Sequence, residues 1–117
     1  MASSEAALIA WLNADPAVLV EAFGSIPEVR PSSFITVERT GGQQTVIVDS
    51  PTLAVQCWAE TRSEAMKLAD LVAFRLRGGW RQQSYVAACD VNSIYNFPDP
   101  DSGQARYQLT VTATLML

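Results

Sequence analysis

Catalytic and metal-binding chemistry in proteins leans on histidine, cysteine and paired carboxylates, and this chain is poor in all three. It has no histidine. That excludes a Ser-His-Asp triad, a Cys-His dyad and any histidine-ligated metal. Two carboxylates come close together in Asp99-Pro100-Asp101. Such a pair can hold calcium weakly or serve as half of an acid–base pair, but the further oxygen ligands of a calcium loop are missing. Thr40-Gly41-Gly42-Gln43-Gln44 has two glycines without the lysine and following helix of a phosphate cradle, so it reads as a hairpin turn. Cys57 and Cys89 each sit in a strand-like run with no C-x-x-C partner, and they read as buried, reduced thiols. Catalysis is not expected, nor is any metal or cofactor.

Tryptophan carries more information. Trp58 alternates away from Leu53, Val55 and Cys57, and Trp80 follows a helix end among glycine, arginine and glutamine. Each is either core under a cover that the local sequence does not reveal, or a contact residue, since Trp and Arg dominate interface hot spots. The threonine-rich face of 108–114 poses the same choice between a solvated sheet face and a wall against a neighbouring copy.

These residues must be held by a small set of elements. Ser3 or Ser4 caps a first helix, with Glu5 in its first turn and Leu8, Trp11 and Leu12 as an apolar stripe. Asp15, Pro16 and Gly24 predict a short second helix over 16–23. Pro27 and Pro31 mark a loop. Strands follow at 34–40, 44–49 and 52–60, with Gly41-Gly42 as the turn between the first two. Thr61 and Glu64 form a capping box for the strongest helix, in which Ala65, Leu68, Ala69, Val72 and Leu76 make a stripe that Gly78-Gly79 ends. Leu68 and Val72 are expected to be buried against the sheet. After a linker at 80–84 come strands at 85–97 and 106–117, separated by a proline-stiffened loop. Strands grouped around one long helix predict an α+β fold: a mostly antiparallel or mixed sheet of about five strands with helices on one face.

The chain has 117 residues, 49% of them hydrophobic, which suits one globular domain over 1–117. The net charge is −4, with only eight cations, seven of them arginine. A free-standing nucleic-acid binder usually carries a basic face. No run reaches the roughly 18 apolar residues of a membrane span, and nothing reads as a signal peptide, so no membrane is expected and synthesis in a cytoplasm is.

Three stretches, in order, resemble the tail terminator proteins of bacteriophages with long non-contractile tails, especially those infecting actinobacteria. They are FITVERTGGQQ from Phe34, DSPTLAVQCWAETRSEAMKLADLVAFRL from Asp49, and NFPDPDSGQARYQLTVTATL from Asn96, whose P-D-P-D-S-G-x-x-R-Y-Q block is the most distinctive. The resemblance implies a structural virion protein at the head–tail connector. Six copies would form a ring that caps the tail tube, ends its polymerisation and meets the head-completion or stopper protein. Genomic DNA would pass through the lumen without specific binding. Another neck component, a stopper or adaptor, and a soluble non-enzymatic binding module are the alternatives. On the ring reading the candidate subunit or tube contacts are Arg39, Gly41 and Gly42 at the hairpin tip, Trp80 and Arg81 after the helix, and Asp99, Asp101 and Arg106 around the loop. Asp99 and Asp101 would pair with Arg39, Arg81 or Arg106 across a subunit boundary, or else only shape the turn. The closing strand would be an element placed for a neighbour or an edge held in register by Pro98 and Pro100.

Overall fold

In a computed structural model, which describes residues 3–117, the chain folds as an α+β domain. Helix α1 spans Ser4–Ala14 and strand β1 Ala22–Phe23. Strands β2 (Phe34–Gln44) and β3 (Val48–Ala59) lead into helix α2 (Arg62–Gly78). A 3₁₀ turn at Trp80–Gln82 precedes strands β4 (Val86–Asn96) and β5 (Ala105–Met116). The sheet order is β1-β2-β3-β5-β4. Among the described residues β1 and β2 run parallel, and the other three pairs are antiparallel.

Both helices begin where side-chain caps place them. The Ser3 hydroxyl accepts the Ala6 amide, and the Thr61 hydroxyl accepts the Glu64 amide, each satisfying a donor that the first turn leaves open. Both helices contribute to the same core. Leu8 and Leu12 of α1 and Ala65, Ala69, Val72, Ala73 and Leu76 of α2 meet the inward row Leu53, Val55, Cys57 and Ala59 of β3. Val72 is buried as expected, whereas Leu68 is only half-buried. Ala65, Ala69, Val72 and Leu76 form the stripe in the core, and Leu68 packs at its margin.

No helix forms over 16–23. The Asp15 amide bonds back to Trp11 and Leu12, so Asp15 closes α1 rather than opening another helix. Its carboxylate accepts from the Ala17 amide and from Arg75, and Asn13 bonds both backbone groups of Ala22, drawing that residue alongside β2. Tertiary partners outcompete the local helix signal.

The three strands expected between 34 and 60 are two long ones. Gly41-Gly42 is not a turn: both glycines lie within β2, Gly42 opposite Pro51 of β3, just beyond a bulge between Arg39 and Gly41. Two features that each break a strand when read alone face one another. Gly42, at φ +103°, leaves room for the Ser50-Pro51 backbone. The hairpin turns instead at Thr45–Ile47, where the Thr45 hydroxyl accepts the Ile47 and Val48 amides. Among the described residues there are five strands, although the fifth is β1 rather than a separate return strand. The C-terminal strand β5 is neither an edge nor a spare element. It lies between β3 and β4, paired on both sides.

Both cysteines are free and buried. Cys57 on β3 pairs with Tyr107 and Cys89 on β4 with Ala113, so β5 separates them. Burial pushes the Cys89 thiol up to about 11, and the Cys57 thiol still higher.

Candidate functional site

The residues singled out in the sequence fall into three places. Arg39 is held inside the subunit: its guanidinium bonds both oxygens of the buried Asp49 at 2.7 and 2.8 Å, and its amide donates to Glu5 at 2.6 Å. Gly41 and Gly42 are exposed but belong to the bulge described above. Trp80 is not a surface contact. It is fully buried, its Nε1 donates to the Tyr85 hydroxyl at 3.0 Å, and the two rings meet edge to face. The 3₁₀ turn after α2 tucks its side chain beneath the start of β4. Arg81, next to it, is exposed.

Asp99, Asp101 and Arg106 sit on or beside the loop between β4 and β5. Asp99 is its hub. Its carboxylate accepts from the Ser102 hydroxyl at 2.5 Å and from the amides of Ser102 and Asp101; its backbone bonds Gln104 and Gly103. Gly103, at φ +73°, allows the turn to close. Arg106 and Arg30 approach the same carboxylate at 4.0 and 3.9 Å. The Asp99–Arg106 pair expected across a subunit boundary is therefore made within one chain. Asp101 remains exposed.

Arg106 has a second role. Its Nε donates to the Phe97 carbonyl at 2.7 Å, and its guanidinium lies 4.6 Å from the Phe97 ring and 4.8 Å from the Trp58 ring. Trp58 in turn stacks on Phe34 at 5.1 Å, and Phe34 meets Phe23 edge to face. Phe97, Arg106, Trp58, Phe34 and Phe23 thus form one row across the end of all five strands. This row buries Trp58 completely on the face of the sheet opposite the helices. The cover is arginine, aromatic rings and loop rather than a helix. Cation–π contacts of this kind are each worth about 0.5–2 kcal/mol. Arg30, which completes the cover at 5.4 Å from Trp58, carries no local sequence signal. Its other partners, Ser102 and Gln104, lie 72 and 74 residues further along the chain.

The rest of that face is open. A chain of side-chain hydrogen bonds crosses it: Trp58 Nε1 to Thr36, Thr36 to Gln56, Gln56 to Gln108, and Gln108 to the Tyr95 hydroxyl, at 3.0, 3.0, 2.9 and 2.6 Å. Thr110, Thr112 and Thr114 continue the polar surface along β5, with Asn92 donating to Thr112. The network was not visible in any single strand, because each bond joins residues on different strands. Among the described residues no three His, Cys, Asp or Glu side chains gather as a metal site. A concavity of about 820 Å³ lies beside the start of α1 and the hairpin tip, between Glu5, Arg39, Asp49 and Val46.

Two carboxylates in this set have a pH signature. Hydrogen bonding from Arg75 holds Asp15 below its ordinary value against the opposing effect of burial, and the Ala17 amide adds to the lowering. Asp99 is lowered chiefly by the Ser102 hydroxyl, and further by the amides of Ser102 and Asp101 and by Arg106. A depressed folded-state pKa gives stability that is present above the unfolded value and lost as pH falls through the folded one. Stability should therefore hold steady from neutrality to about pH 5 and decline below about pH 4. In urea titrations the gap between the wild type and an Asp15→Asn, Asp99→Asn variant should narrow as pH drops from 7 to 3. A gap independent of pH would remove both carboxylates from the acid response.

Compared with protein-family models and with the curated proteins, the chain matches none.

Proposed function

We propose that this chain is a tail terminator of a long, non-contractile phage tail, acting as a ring of six copies at the head–tail connector. The ring caps the tube, ends its polymerisation and presents its other face to a head-completion protein, while DNA passes through the lumen. The reading begins from the resemblance of the 34–117 region. The observation that carries it is the form of the most distinctive block. Residues 97–104 form a preorganised loop between β4 and β5: Asp99 satisfies the turn from within, and Arg106, near the start of β5, clamps it to the sheet. Pro98, Pro100, Asp101 and Gly103 are left facing solvent. An ordered, outward-facing loop loses little further entropy when a partner binds, which suits an assembly protein.

Sizing with light scattering tests the ring, alone and with tail-tube protein. A ring is expected; a stable monomer or dimer in both conditions would favour a binding module instead. In phage lacking the protein, tails should become longer and more variable in electron micrographs. Tails of normal length without it would favour a stopper or adaptor.

A further inference from the structure

The charge of this chain is sharply divided. Residues 62–82, comprising α2 and the turn after it, hold five of the eight cations and two of the twelve acids, a net charge of +3. The remainder holds three cations and ten acids, a net charge of −7. Lys67 and Arg77 are exposed on the side of α2 turned away from the core, with no ion-pair partner among the described residues. The same helix exposes Phe74 at 67% and Met66 at 40%. On the other side of the subunit, the open sheet face has two exposed acids, Glu38 and Asp90, also unpaired among the described residues. Between them lie uncharged Thr36, Gln56, Gln108, Thr110 and Thr112. The arginines on that face are engaged: Arg106 is buried in the aromatic row, and Arg30 is held by Gln104 and Ser102.

We infer that the outer face of α2 docks on the open sheet face of a second copy of this chain, head to tail. This deepens the ring reading and rests on it. The two faces differ, lie on opposite sides of the subunit and complement each other in charge, as a heterologous contact requires. Phe74 and Met66 supply apolar anchors, which favour a protein partner over the phosphate backbone of passing DNA. The two sheet edges are weaker candidates for the joint. The free edge of β4 is interrupted by bulges at 86–88 and 91–93, and β2 is covered at 35–36 by β1 and bulged after Arg39. Bulges of this kind guard an edge against pairing.

A charge-swap experiment tests the contact. Lys67→Glu, Arg77→Glu as one variant and Glu38→Lys, Asp90→Lys as another alter only exposed side chains, so each should keep the wild-type unfolding midpoint. Each alone should self-associate about tenfold or more weakly, because like charges then meet at every joint. Mixed in equal amounts they should reassemble with the two variants alternating, since every reversed helix then meets a reversed sheet face. Wild-type rings with both variants assembling normally would overturn this contact and leave the ring reading standing. A wild type that never forms a ring, with or without tube protein, would overturn both. Unchanged assembly coupled with lost duplex-DNA retention in the Lys67→Glu, Arg77→Glu variant would assign the cationic face to DNA and overturn the inference.

Discussion

Trp80→Ala should lower the stability of the isolated subunit by about 3–5 kcal/mol. The indole is fully buried and belongs to the core shared by both helices and the sheet. Truncation removes its apolar surface from the core, leaves a cavity under β4, and strips the Tyr85 hydroxyl of its donor at 3.0 Å. Domains of this kind are stable by only about 5–15 kcal/mol, so the loss is a large share of the total. Chemical unfolding of the monomer measures it directly. The same substitution at a purely intersubunit contact would leave the monomer's midpoint in place. A change below about 1 kcal/mol would therefore restore Trp80 as a surface residue.

Gly42→Ala should cost about 2–4 kcal/mol, from backbone strain together with overpacking. At φ +103° an L side chain is strained whatever the space around it. Here the space is absent as well: an added Cβ would lie 2.1 Å from the Ser50 carbonyl oxygen and 2.7 Å from the Pro51 Cα. Both are backbone atoms of a strand paired on its two sides, so neither can swing away. Gly41→Ala is the internal control. A Cβ there meets nothing within 4 Å, and its backbone is not left-handed. It should change stability by no more than about 1 kcal/mol in either direction. Equal midpoints for the two variants would show that Gly42 is not what accommodates Pro51 inside the sheet.

The subunit narrows which residues can act in the proposed ring. Of the eight candidate contacts, Trp80 and Arg106 are committed to internal packing, and Arg39 and Asp99 to internal pairing. Arg81, Asp101 and the bulge glycines remain accessible. The exposed α2 face, which no motif marked, and the open sheet face, which includes the threonine row of 108–114, carry the charge separation.

Local sequence determined the elements whose causes are local. The Thr61 cap and the 3.6-residue apolar period define α2, and strict alternation defines β5, because each depends on neighbours within a turn or two residues. The burial of Cys57 followed from the same alternation. The tertiary structure decided what depends on partners distant in the chain. Gly42 and Pro51 each read as a break until they were placed opposite one another, whereupon they became one bulged ladder. Asp15 read as the start of a helix until Arg75, 60 residues away, took its carboxylate. Trp58 had no visible cover because Phe34, Arg106 and Arg30 reach it from three separate segments. The place of β5 between β3 and β4 was likewise undetermined, since strand order follows from which faces must be buried together, and alternation within one strand carries no information about its neighbours.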